Sequence, residues 1–160
     1  MINKNLKEFV CKYIECETEF PPEMLARMHA CEKKAFDRMD KKYTQIISEN
    51  HFFHDTYVSK IAFEPRGMRM VMLLSLFMHD TAFHLAFDDI SYMHVSCELF
   101  TDKFLYPWHK RYPSIAQLLG FFLDYNNDMF ECAILLDNEK YLIFGFREFA
   151  LDEQSLSSLK

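Results

Sequence analysis

Only three glycines occur in the 160 residues, and none sits in a GxGxxG or GxxxxGK[ST] arrangement. Phosphate-cradling loops need glycine where the backbone closely approaches the ligand, so a nucleotide-binding βαβ unit has no support. The five cysteines (Cys11, Cys16, Cys31, Cys97 and Cys132) are odd in number, and no pair has CxxC spacing. A disulfide framework and the common zinc or redox motifs are therefore unsupported, and neither cofactor nor metal is expected. Long apolar runs are also missing. The nearest, "MVMLLSLFM" at 70–78, is far too short to span a bilayer and reads as a buried strand. Without a signal-peptide pattern, the chain reads as cytoplasmic, with reduced thiols and no membrane association.

What is present is ample core. Half the residues are apolar, with 17 Phe and 10 Met. A chain of this length buries roughly two-thirds of its unfolded surface, so it needs no covalent staple. One domain is expected, with a helical part at 1–50 and a mainly β part at 51–160.

The hydrophobic period divides the two parts. In "NLKEFVCKYIECE", Leu6, Phe9, Val10, Tyr13 and Ile14 recur at three- and four-residue spacing, the mark of an amphipathic helix. "TEFPPEML" stops that helix and starts a second, with proline in the first turn and Glu23 at the positive end of the dipole. The apolar positions predict that this second helix continues unbroken from 22 to about 48. Its charged face alternates in sign, which favours a solvated surface over a nucleic-acid helix.

After Asn50 the period becomes two. The sequence predicts a strand, a turn at "EPRG" (64–67), a strand across 70–78, a turn at His79-Asp80, and two strands parted by Asp88-Asp89. The segment 101–117 reads as irregular. Three aromatic-rich strands close the chain, separated at 126–128 and 137–139. The expected fold is α+β, with N-terminal helices packed on a mainly antiparallel meander of about six to seven strands.

Charge follows the same division. Residues 1–49 hold nine basic and nine acidic residues, and residues 50–160 hold nine basic and fifteen acidic, so the whole net −6 lies on the sheet half. An acidic surface repels a phosphate backbone and suits a basic protein partner.

Two segments invite a metal or hydrolase reading, because "HDT" occurs at 54–56 and again at 79–81. A metal site using His51, His54, Asp55, His79 and Asp80 requires the two corners to meet. The plainer reading makes each a strand boundary, with the aspartate serving backbone N–H groups. His84 falls on the strand face opposite Phe83 and Leu85 and is expected to face solvent. His94 and Cys97 lie on opposite faces of one predicted strand, which argues against a thiol–imidazole pair. Cys132, in an aromatic-rich strand, reads as an inert buried thiol.

For partner binding, the sequence nominates Asp88, Asp89, Glu98, Asp102, Asp124 and Asp128. Trp108 or Tyr125 is the apolar anchor, Trp108 lying in the Tyr-, Pro- and base-rich "YPWHKRYP".

The order of parts resembles an uncharacterised family of bacterial cytosolic proteins. The resemblance rests on N-terminal helices, a His-Asp lead into a sheet ("FFHDTYVSKI"), and a closing aromatic strand pair ("FFLDYNNDMFECAILLDNEKYLIFGFREF"). It spans roughly 24–149 and implies an α+β fold and a bacterial origin, with no activity attached. In size and charge the chain is also similar to the immunity proteins of bacterial toxin systems, which are small, acidic and often α+β. That similarity implies a non-enzymatic binding protein, monomeric or homodimeric, that occludes a basic, nuclease-type toxin domain. The metal-dependent hydrolase and a self-associating adaptor stand as alternatives.

Overall fold

The computed structural model describes residues 2–15, 19–96, 116–137 and 139–156. The first amphipathic stripe forms α1 (Lys4–Glu15), which buries Leu6, Phe9 and Val10. Pro22 opens α2 (Pro22–Phe36), where a missing N–H costs nothing.

The expected long second helix is broken. Residues 37–40 interrupt it, and α3 (Lys41–Glu49) begins anew with Asp40 as its cap, Oδ1 accepting the Lys42 N–H at 2.8 Å. The apolar period runs through the break, so periodicity alone hides it. A capping carboxylate offers the backbone an alternative to the next helical bond.

The strands are β1 (Tyr57–Arg66), β2 (Arg69–Met78), β3 (Thr81–Asp88), β4 (Tyr92–Val95), β5 (Ala116–Asn126), β6 (Met129–Leu136), β7 (Tyr141–Phe146) and β8 (Glu148–Ser155). They form one sheet in the order β4-β7-β6-β5-β1-β2-β3-β8, and each pairing is antiparallel. Among the described residues there are thus eight strands, where six to seven were expected. The run 141–151, which reads as one strand, is two, broken at Arg147 where the chain leaves β6 to join β3. The turn expected at 64–67 falls at Gly67-Met68, and Pro65 lies inside β1 opposite Met70. A strand tolerates proline where its N–H faces no neighbour. Among the described residues β1 meets β5 only at Tyr57 and Val58, well away from Pro65.

The sheet cannot be flat. Four strands stand between β7 and β3, which would hold them about 24 Å apart in a plane. Yet the Phe87 ring of β3 lies 4.9 Å from Phe144 and 5.0 Å from Phe146 of β7. The sheet curls so that its two halves face each other across a phenylalanine-rich core; among the described residues they are joined in register at two residue pairs, Tyr57–Gln117 and Val58–Ala116. Ile46 and Ile47 of α3 and Phe53 complete that core. A second cluster lies on the outer face, where Leu6, Phe9 and Val10 of α1 meet Phe122, Ala133, Leu135 and Ile143. β6 is therefore buried on both faces, which explains why its sequence is apolar apart from Glu131. Among the described residues no helix is long and apolar enough to cross a membrane.

Candidate functional site

Between α3 and β1 the backbone does something the sequence gives no warning of. His51, Phe52, Phe53 and Asp55 all adopt left-handed conformations, with φ of 52°, 54°, 59° and 66°. Side chains with a Cβ resist this region at about 1–2 kcal/mol each. The turn is closed by Phe53 N–H to Asn50 O at 2.9 Å and His54 N–H to His51 O at 3.1 Å. Its anchor is Phe53, fully buried with its ring 5.1 Å from Phe83 and 5.4 Å from Phe121. Clustered backbone strain of this kind persists only where the surroundings impose it, and it marks places to examine for function.

The turn forms one wall of an open cleft of about 360 Å³. Tyr13 and Phe20 lie at its α1 side, His29 and Glu32 come from α2, and His51, Phe52 and His54 come from the turn. The bulged start of β5, from Leu119 to Phe122, is the floor. Gly120 lets the Phe122 ring lie close to the backbone there, since a Cβ would stand 2.6 Å from that ring and force it to move.

Three residues form a relay across the rim. The Tyr13 hydroxyl lies 2.9 Å from His54 Nε2, and His54 Nδ1 lies 3.0 Å from Asp55 Oδ2. An imidazole donating from Nδ1 to the carboxylate accepts the Tyr13 proton at Nε2. Burial, and then the Asp55 charge, raise the Tyr13 pKa, so the phenol keeps its proton and serves as a donor. Burial likewise raises the Glu32 carboxyl, opposed by His29. Among the described residues the cleft lining carries no serine, threonine, cysteine or lysine; its polar groups are Tyr13, His29, Glu32, His51 and His54.

The two His-Asp-Thr corners do not make a metal centre. His79-Asp80 is the β2–β3 turn, as its local chemistry suggests, and His54-Asp55 belongs to the relay. Among the described residues no three His, Cys, Asp or Glu side chains converge to hold a metal ion. Cys132 is fully buried and its thiol pKa is pushed well up by that burial, which leaves it unreactive. Cys97 lies outside the described residues.

His84 does face outward, on the face opposite Phe83 and Leu85. Its Nδ1 lies 3.2 Å from Ser75 Oγ, and Asp152 stands beside it in register on β8. With Lys60 they line a groove of about 350 Å³ on the outer sheet face. The row has the residue types of a hydrolytic triad. Among the described residues no hydrogen bond joins Asp152 to His84, the orienting contact such a triad needs.

The nominated partner-binding residues separate into three sets. Asp88, Asp89 and Asp128 share one rim. Asp88 is held by Arg69 at 3.4 Å and Asp89 by Arg147 at 3.5 Å. Asp128 is exposed in the β5–β6 turn, which the Ser91–Met129 contact places beside the 88–91 bend.

Asp124 and Tyr125 are already used by the fold. The Asp124 side chain has no exposed surface, pairs with Lys34 at 2.9 Å, and accepts from Asn3 and Asn126 at 2.9 and 2.8 Å. It stands across from Glu131, which the same two amides reach and to which the Tyr92 hydroxyl donates. Such a carboxylate has nothing to offer a partner. The Tyr125 ring packs against Phe130 at 5.0 Å and lies under the Arg38 guanidinium at 5.2 Å. Glu98, Asp102 and Trp108 lie outside the described residues.

Sequence reasoning passed over Tyr13, His29 and Glu32 of the cleft. The i,i+3 spacing of His29 and Glu32 on one helix face was a signal, although it does not reveal what they face. It also passed over Glu148, Asp152 and Glu153, which lie on β8, an edge strand with no described strand on its far side.

No protein-family model matches the chain, and no curated protein matches it. Among solved structures, the chain is similar to the crystal structure of an uncharacterized protein from Neisseria gonorrhoeae, at 12% identity and a TM-score of 0.40. The match covers 62% of this chain and 92% of that one. None of these comparisons supports the likeness to toxin-immunity proteins.

Proposed function

We propose that this protein is a non-enzymatic binding protein that takes up a basic, extended segment of a protein partner along β8. The observation that carries the reading is the character of that edge. β8 bears Glu148, Asp152 and Glu153 and no lysine, arginine or histidine. An edge strand offers a row of N–H and C=O groups for strand addition, and alternating side chains set the choice of partner. Glu148 and Asp152 lie on one face of the strand and Glu153 on the other, so a lysine- or arginine-bearing strand finds opposite charge on both. Asp128 is exposed on the neighbouring rim, where Asp88 and Asp89 are held by Arg69 and Arg147, and the groove beside Asp152 accepts a side chain. Two copies pairing through β8 would set carboxylate against carboxylate, which disfavours self-association there. A toxin domain that holds a phosphate backbone with lysines and arginines has the complementary chemistry, and covering that surface is the neutralising mechanism this reading implies.

The test uses an alternating Arg-Val hexapeptide as probe, followed by calorimetry at low salt. Reversing Glu148, Asp152 and Glu153 together to lysine is expected to weaken binding about tenfold or more. The melting temperature should stay within about 3 °C, because exposed charges contribute little to stability. Alternate N-methylation of the peptide backbone should abolish binding. Equal affinity for the reversed protein, or for the methylated peptide, would sink the proposal.

A further inference from the structure

The cleft beside the left-handed turn holds a carboxylate that, among the described residues, no lysine or arginine reaches. No hydrogen-bond donor among them reaches Glu32 either, and the charged group acting on it is His29 on the same helix, on the exposed rim. A half-buried acid normally recovers its lost hydration from a cation or from donors. Here the neighbours are aromatic. Tyr13, Phe20 and Phe122 pack pairwise edge to face, with centroids 5.9 to 6.5 Å apart. Phe52 stacks one face on Phe36 at 5.5 Å, the planes within 4°, which leaves its other face for the cleft it lines. Aromatic faces carry partial negative charge and attract cations most strongly where water is displaced.

From this geometry we infer that the cleft is a binding site for an organic ammonium ion, its charge against Glu32 and its methyl or methylene groups against Phe20, Phe52 and Phe122. A volume of about 360 Å³ admits a choline-sized head and equally the end of a lysine side chain. An anion would meet Glu32 and the π faces with the wrong sign. A neutral apolar ligand would leave the carboxylate buried and still uncompensated, which is the costlier outcome. The Tyr13–His54–Asp55 relay pins α1 to the turn across the rim, so the walls stand ready before any ligand arrives. This site stands on observations separate from those on β8 and does not depend on the strand-addition reading.

The experiment is an NMR titration of the full chain at pH 8, following the amides of Glu32, Phe52 and Gly120. The probes are choline, its neutral isostere 3,3-dimethylbutan-1-ol, and N-acetyl-lysine N-methylamide. A cation is expected to bind with a Kd in the millimolar range, and the isostere about tenfold more weakly. Glu32→Gln keeps the shape of the wall and should lose about tenfold for the cation while leaving the isostere unchanged. Preference for choline identifies a free quaternary amine as the ligand. Preference for the capped lysine identifies a basic side chain of a protein. The inference is overturned if the isostere binds as well as choline, if Glu32→Gln binds like the parent protein, or if neither cation shifts these amides at 50 times that range. A thermal melt of Glu32→Gln within a few degrees of the parent ensures that any loss is read at the site.

Discussion

Phe53→Ala is expected to destabilise the protein by about 3–5 kcal/mol, the range for removing a fully buried phenylalanine. The ring touches both halves of the curled sheet, through Phe83 on β3 and Phe121 on β5, so the cavity opens where the halves meet. It also holds the left-handed turn in place, and without it the strained backbone has less to oppose its relaxation. The companion substitution should move the other way. His51 is exposed, with φ of 52°, and His51→Gly removes a Cβ from a conformation that disfavours it. A gain of up to about 1 kcal/mol is expected, reduced by the freedom glycine brings to the unfolded chain. Urea unfolding of both variants decides the matter. Loss of stability in His51→Gly would mean that the turn is not left-handed.

Asp124→Asn is expected to cost about 2–3 kcal/mol at neutral pH. The full cost of breaking a buried ion pair is discounted because Lys34 is half exposed and can rehydrate. The amide would set a donor against Asn3, Asn126, the Tyr125 N–H and Lys34, all of which donate to the carboxylate. The pH dependence follows from the same contacts. Burial raises the Asp124 pKa, but the bonds from Lys34, Asn3, Asn126 and Tyr125 outweigh it, and the net shift is downward. A depressed carboxyl stabilises the fold above its unfolded value near 3.9, and that contribution is lost as pH falls through the folded value. The gap between parent and variant should therefore be level from pH 7 to about 5 and narrow below about 4. A gap that does not change with pH would show that the charge contributes nothing.

How much of this was legible depends on whether the cause is local. The period-two runs, the His79-Asp80 turn and the Asp88-Asp89 bend follow from residues next to one another, and all are found. The α+β class follows from the same runs. Sheet order did not, because β8 finds β3 and β4 finds β7 through side-chain packing between distant segments, such as Phe87 against Phe144. The left-handed turn was hidden for a related reason. "HFFHD" contains neither glycine nor asparagine, and what selects its conformation is the slot that receives Phe53. The acidic bias of the sheet half was visible, but its placement was not. Asp124 read as a surface acid at a strand end and proved to be an internal clamp. Glu131, its partner across the strands, shows why: a carboxylate pair shared by two amides is a property of register.

The β1–β5 junction between the halves of the sheet bears on how the chain reaches this state. β1, β2 and β3 form from successive hairpins, as do β5, β6 and β7, and each set closes over short loops. The β3–β8 ladder joins Asp88 to Glu148 and Thr81 to Ser155, so it closes only after both sets exist. Until then β3 is itself an unpaired edge, carrying Ala82 and Phe83 without their final neighbour. During synthesis the apolar edge is exposed first, and the acidic one replaces it once residues 148–155 have left the ribosome. Completion of β8 thus covers the apolar edge of β3 and leaves an acidic edge in its place.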